Sequence, residues 1–410
     1  MIIKQYIKEF EKLGFGMFVH FGIYSQLANG EWVQSLHNIP AEQYQKLADT
    51  FCPDIDWAKN LAKTAKQAGC KYINITTRHH DGFSLFDTCG LSSYDAPHSA
   101  CGRDLIREFV DACNGEGLIP FFYHTLMDWH HPDYEQDFPK YLQYLRDSVA
   151  ILCKNYGTIG GFWFDGMWHK PDADWEEDAL YATIRRYQPD AMIINNTGLS
   201  AHGALGHPEL DSVTFERGKP QPLNMAGAPK YVASEMCQIT GDHWGYARED
   251  LNFKGAGQLI RELADCRRYR SNMLMNVGLQ GDGSISLMDR AIFDTLGRWV
   301  SYFEEALRIP EPTGIEIANK PDDFILRNEN TYYLFCYNLP MSADPNVALR
   351  AEAEYESKFR LPGKLTSACW LDNGAEVMFR QCGEEVSLQT VPYTYGRSLV
   401  VRVAKLTVEE

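Results

Sequence analysis

The chain has no run approaching the roughly 18 consecutive apolar residues of a membrane-spanning helix. Its amino terminus, MIIKQYIKEFEKLGFG, is charged and periodic, without the apolar stretch and small-residue cleavage site of a signal peptide. A soluble, cytoplasmic protein with no membrane partner is therefore expected. Positive charge is also in deficit: 39 Lys and Arg stand against 55 Asp and Glu, a formal net charge of −16. Affinity for nucleic acid comes mainly from neutralising phosphates with Lys and Arg, so nucleic acid is not an expected partner. The 11 cysteines include no CxxC pair, are odd in number and are scattered from Cys52 to Cys382. That pattern suits reduced, buried thiols better than a disulfide framework or a zinc site. No HExxH occurs, and the His pairs at 79–80 and 130–131 are adjacent residues that a strand would send to opposite faces, so no metal and no cofactor is expected. Internal repeats and low-complexity tracts are missing as well.

What is present is an alternation. Short runs rich in β-branched and aromatic residues recur as FGMFVHFG (15–22), KYINITTRH (71–79), LIPFFYHT (118–125), IGGFWFDG (159–166), AMIINNTG (191–198) and NMLMNVGL (272–279), with SVTFE (212–216) and KYVASEM (230–236) as weaker candidates. Between them lie helical patterns, such as Trp57, Leu61, Ala65 and Ala68 on one face, and Leu105, Ile106, Phe109, Val110 and Cys113 on another. Strands alternating with helices mean a parallel sheet, and this many units over about 300 residues fit a closed, possibly irregular (β/α)8-type barrel. An open doubly wound sheet is disfavoured because no GxGxxG follows the first strand. After IPEPTG the helical period gives way to alternating stretches such as DFILRNENTYYLFCYNL and RSLVVRVAKL. We expect a catalytic barrel over residues 1–310 and a small antiparallel β-sandwich over 315–410.

In such a barrel, active residues lie at the carboxyl ends of the strands. Those positions read His20, then His79, His80 and Asp81, then Tyr123 and His124, Asp165, Asn195 and Asn196, with Glu216 and Glu235 ending the two weaker strands. Asp165 poses the sharpest question, since it ends the apolar run IGGFWF, where a strand buried on both faces has no reason to carry a charge. Tryptophans 32, 129, 163, 168 and 244 are mixed into the same regions. Imidazoles, carboxylates and indoles together suit a carbohydrate, whose hydroxyls take hydrogen bonds while a ring face stacks on an aromatic plane. Paired carboxylates suggest glycoside hydrolysis, with Asp165 as nucleophile and Glu216, Glu235 or Asp211 as general acid.

At these residues the chain resembles the α-L-fucosidases of glycoside hydrolase family 29. The resemblance rests on FGMFVHFGIYS, Glu31 with Trp32, RHHDGF (78–83), YHTLMDWHHPDY, FWFDG and NMLMNVGLQGDGSI, in the family's order and spanning roughly residues 13–300. It implies a retaining, metal-free exo-α-L-fucosidase acting on terminal fucose of oligosaccharides, with Asp165 as nucleophile. It further implies that His20, Glu31, Trp32, His79, His80 and Trp163 contact fucose, and that His124 stands where the family usually has a tyrosine. Glu216, in TFE, resembles the family's acid/base segment and is preferred over Glu235 in SEM. INNTG (194–198) departs from an asparagine–aspartate–arginine run whose arginine touches the sugar, since Thr197 takes that place.

Two other readings compete with this one. A silent fucose-binding protein of the same fold would keep the pocket and lack the acid/base, against which stand the intact aspartate and two spare glutamates. A barrel isomerase or aldolase would need a metal or a Schiff-base lysine, and no lysine ends a well-defined strand. Linkage, aglycone and oligomeric state have no readable code in the chain.

Overall fold

The computed structural model describes residues 2–198, 201–223, 225, 227–342 and 355–409. Eight parallel strands, β1 (Phe15–His20), β2 (Tyr72–Arg78), β3 (Ile119–Thr125), β4 (Gly161–Asp165), β5 (Met192–Asn195), β6 (Ser212–Thr214), β7 (Ala233–Gln238) and β8 (Ser271–Gly278), pair in chain order, and β8 pairs back with β1 to close a barrel. Both weak strand candidates, SVTFE and KYVASEM, are thus strands of the barrel. Nearly every strand residue is buried, which is why the sequence shows apolar runs rather than alternation. Helices Trp57–Gln67, Leu105–Glu116, Phe138–Asn155 and Glu177–Tyr187 follow β1 to β4 in turn, and each turns its apolar stripe inward.

The barrel interior is filled by inward residues of the strands, among them Phe18, Tyr72, Phe121, Tyr123, Trp163, Ile194, Ala233, Cys237 and Leu274. The helix Gln5–Glu11 adds Ile7 and Phe10 to this cluster and so plugs the barrel's amino-terminal end. Gly16 is required on β1 because a Cβ there would lie 2.4 Å from the Tyr72 ring. The carboxyl-terminal end is left open for a site.

By packing, the chain divides into residues 1–254 with 271–294, and residues 255–270 with 295–410. In the second unit, a five-stranded antiparallel sheet and a three-stranded one enclose a shared core of Leu334, Phe359, Trp370, Leu388 and Leu406. That is a β-sandwich. Helix Ala256–Arg268 and the later part of Leu287–Arg308 group with it, although they flank β8 in sequence. Residues 343–354 and 410, inside the stretch read as a sandwich, lie outside the described residues.

Among the described residues no helix separates β5, β6 and β7. β6 has three residues and a single register pair with β5, Ile194 with Ser212. Charge takes the place of the missing helices. Asp211, fully buried just before β6, accepts hydrogen bonds from Lys230 Nζ (2.7 Å), Arg185 Nη2 (2.5 Å), the Tyr6 hydroxyl (3.0 Å) and the Ile193 amide (2.8 Å). Asp211 is therefore a structural clasp at the strand's amino end, and its candidacy as a general acid is corrected. Removing one partner of a buried ion pair strands the others, at about 3–5 kcal/mol. Asp211→Ala is expected to destabilise the barrel by that amount, read as a lower urea midpoint.

Candidate active site

Above the aromatic floor, the carboxyl ends of the strands enclose a cavity of about 340 Å³. It is lined by Phe18, His20, Glu31, Trp32, His79, His80, Tyr123, Trp163, Asp165, Trp168, Asn196, Thr197, Gly198, Glu216 and Trp244. Of the residues expected from sequence, His20, Glu31, Trp32, His79, His80, Trp163, Asp165 and Glu216 meet here. No Lys or Arg among the described residues lines the cavity, although the charge of Arg217 acts on Glu216 to lower its pKa.

Asp165 is the last residue of β4, and Gly166 follows it at φ +99°, where a Cβ would come within 2.8 Å of Met127 Cβ. The chain turns away there and the carboxylate stays on the inward face of the strand end. Asp165 Oδ2 accepts from the Tyr123 hydroxyl (3.0 Å), and Oδ1 from Asn196 Nδ2 (3.2 Å) and Trp168 Nε1 (3.4 Å). Burial, and then the charge of Glu216, push its pKa up to about 6, while those three donors act in the opposite sense. Burial likewise raises Glu216.

One amide nitrogen joins the two carboxylates. Asn196 Nδ2 also donates to Glu216 Oε2 at 2.6 Å, and the amide is oriented by the Thr214 hydroxyl (3.0 Å) and the Gly198 amide (3.2 Å), which both donate to its Oδ1. Two oxygens so close to one nitrogen are under about 6 Å apart, near the ~5–5.5 Å of retaining glycosidases and short of the ~6.5–9.5 Å that inverting enzymes need for a water.

The histidines are neutral acceptors. His20 Nδ1 donates to Asn276 Oδ1 (2.7 Å), whose own amide is committed to the Trp244 carbonyl (2.7 Å). His80 Nδ1 donates to Thr125 Oγ1 (2.7 Å), whose hydroxyl proton goes to the Met127 carbonyl (2.6 Å). In both rings Nε2 is left with its lone pair; that of His20 is open to a hydroxyl, and that of His80 stands 3.6 Å from Asp165 Oδ2. Burial pushes His20 and His80 down to about 3 and His79 well below the usual range. Glu31 accepts from the Gly245 amide (2.7 Å), and burial raises its carboxyl.

Three sequence readings are corrected. His79 and His80 do not point to opposite faces: β2 shifts register between Thr76 and Arg78 and ends there, and both rings line the cavity with centroids 4.1 Å apart. A bulge of this kind re-aims side chains. His124 does not contact the cavity. It faces outward from β3, with Nδ1 on Thr77 Oγ1 (2.8 Å) and Nε2 by Arg78 Nη2 (2.9 Å), and the inward place at this strand end belongs to its neighbour Tyr123. Glu235, the alternative acid/base, is buried beneath the floor on Trp163 Nε1 (3.1 Å) and the Tyr72 hydroxyl and does not line the cavity. Asn196 and Tyr123 were visible as strand-end residues, but nothing local marked them as the partners of Asp165.

A barrel whose rim sets two carboxylates around one amide, over an aromatic floor and beside neutral imidazoles, is a glycoside hydrolase. Residues 3–305 match the α-L-fucosidase family. Among solved structures, α-L-fucosidase isoenzyme 1 from Paenibacillus thiaminolyticus superposes with a TM-score of 0.84 at 30% identity, covering 99% of each chain. A family 29 α-L-fucosidase from Bacteroides thetaiotaomicron shares the fold at a TM-score of 0.81 and 24% identity, covering 99% of this chain and 95% of that one. Mouse tissue α-L-fucosidase is 25% identical over 362 residues, 80% of this chain and 77% of its own length. The chain belongs to the α-L-fucosidase family, and its activity is that family's hydrolysis of α-L-fucosides.

The charge of Asp165 is bought with stability. A carboxyl whose pKa is raised in the folded state stabilises fully below its unfolded value, near 3.8, and that contribution is lost as pH rises through about 6. Asp165→Asn removes the charge, so its melting temperature is expected to exceed wild type at pH 8, by on the order of 1–3 kcal/mol in stability, and to converge with it near pH 4. Equal melting temperatures at pH 8 would contradict this.

Proposed function

We propose that the chain is a retaining exo-α-L-fucosidase in which Asp165 is the nucleophile and Glu216 the acid/base. The observation that carries the assignment is the Asn196 amide shared by the two carboxylates, which supports a separation suited to double displacement. Three carboxylates and no Lys or Arg line the cavity among the described residues, which favours a neutral sugar over an acidic one. Phe18, Trp163 and Trp244 offer apolar surface to the methyl group and ring face of a 6-deoxy sugar. The small, one-ended cavity admits one terminal residue, with the leaving group toward the rim at Trp168, which is 44% exposed.

In the first step Asp165 Oδ attacks the anomeric carbon as Glu216 passes its proton to the departing glycosidic oxygen, giving a fucosyl ester on Asp165. In the second, Glu216 takes a proton from water, the water oxygen attacks the same carbon, and the carboxylate of Asp165 leaves with net retention. His20 accepts from a sugar hydroxyl through Nε2, and Tyr123 and Trp168 hold the nucleophile ionised. A silent binding protein is not favoured, because it has no use for a second raised carboxyl beside the first.

Asp165→Ala is expected to keep its fold and lose on the order of 10³-fold or more in kcat on an aryl α-L-fucoside. A folded variant with a tenth of wild-type turnover would exclude Asp165 as nucleophile. Glu216→Ala is expected to accept azide as a substitute for base-activated water. With 2,4-dinitrophenyl α-L-fucoside it should turn over faster in azide and yield fucosyl azide of retained α configuration. Absence of that product would remove Glu216 from the role.

A further inference from the structure

Glu235 is sealed from the cavity yet bonded to its floor. It points inward from β7 and is 1% exposed. Its Oε1 accepts from Trp163 Nε1 at 3.1 Å and its Oε2 from the Tyr72 hydroxyl. The Trp163 ring lines the cavity, meets Phe18 edge-on (5.1 Å, 63°) and stacks on Tyr123 (5.7 Å, 22°). The Tyr123 hydroxyl in turn donates to Asp165 Oδ2. Two rings separate this buried carboxylate from the nucleophile.

Packing alone does not account for a carboxylate in that place. The groups facing it are Tyr72 from β2, Trp163 from β4 and Cys237 of its own strand, whose thiol also feels Glu216 and Asp165. None is a cation, and an apolar side chain would fill the space without the desolvation cost of a carboxyl. What a carboxylate adds is a directional acceptor, which fixes the rotation of an indole in a way that dispersion contacts do not.

We propose that Glu235 is a positioning residue for the reaction: by holding the Trp163 N–H it sets the plane on which Tyr123 stacks, and so the seat of the Tyr123 hydroxyl on Asp165. This rests on the reading of Asp165 as nucleophile. Burial pushes the Glu235 carboxyl up to about 7, against the two hydrogen bonds it accepts, so its charge changes in the neutral range. An ionised carboxylate is the stronger acceptor, and the anchoring tightens as pH rises through 7.

The test uses the full chain with 4-nitrophenyl α-L-fucoside between pH 5 and 9, with folding followed by circular dichroism. Glu235→Ala is expected to lower kcat tenfold or more with a smaller change in KM. Glu235→Gln, whose carbonyl still accepts the indole N–H, should recover most of that loss, and the ratio of wild-type to Gln kcat should rise across pH 7. Trp163→Phe keeps a ring and loses the N–H, so it should cost as much as Glu235→Ala and add little to it in the double variant. A folded Glu235→Ala within twofold of wild type, a Gln variant as slow as Ala, or additive losses in the double variant would overturn the proposal. Should Glu235→Ala fail to fold, the Gln and Phe variants decide by their pH ratio and kcat. Labelling of wild type with 2-deoxy-2-fluorofucosyl fluoride and peptide mapping separates the two readings. An adduct on Asp165 leaves the nucleophile standing whatever Glu235 does, and an adduct elsewhere overturns both.

Discussion

Two carboxylates in one buried cavity repel each other, and the surroundings of Asp165 and Glu216 are arranged around that repulsion. Asn196 supplies one nitrogen with two protons, one for each carboxylate, and its orientation is fixed by Thr214 and Gly198 on the oxygen side. Tyr123 and Trp168 donate further to Asp165 alone. Burial raises both groups and the charge of Glu216 raises Asp165 further, while the three donors on Asp165 act against that rise. Environments that push paired acids apart are what divide nucleophile from general acid. The imidazoles respect the same constraint: buried and neutral, they bring lone pairs to the cavity without adding cations that would hold both carboxylates ionised.

The barrel delivers these groups by strand phase. Successive strand residues alternate between interior and exterior, so a side chain one position off is lost to the site. Tyr123 reaches Asp165 while His124, its neighbour, joins Thr77 and Arg78 outside. The register shift in β2 changes that phase, sending Arg78 outward to Tyr144 (2.7 Å) and bringing both following histidines to the cavity. The same closure that creates the rim creates the floor, where Tyr72, Trp163 and Glu235 meet from three different strands. Where no helix among the described residues follows β5 or β6, the buried ions around Asp211 hold the strands that carry Asn196, Thr214 and Glu216.

The sequence by itself determined the strand and helix alternation, because a parallel strand covered on both faces needs a continuous apolar run and a covering helix needs a 3.6-residue stripe. It also pointed to Asp165 as a site residue, since a charge ending such a run either caps the next helix or faces the space beyond the strand end, where polar residues of the other strands collect. Short strands were harder to read. β6 holds three residues, too few to show a period, and its stability comes from ions distant in sequence, 19 residues away at Lys230 and 26 at Arg185. Only the tertiary structure placed Glu216 at the cavity and Glu235 beneath its floor, because both end apolar segments and differ in whether the barrel wall leaves them at the rim or closes over them. Only it exchanged His124 for Tyr123 and made Asn196 the link between the carboxylates. Those outcomes depend on the phase of one strand relative to another, and phase is set by the register of hydrogen bonds across the closed sheet, which no single segment contains.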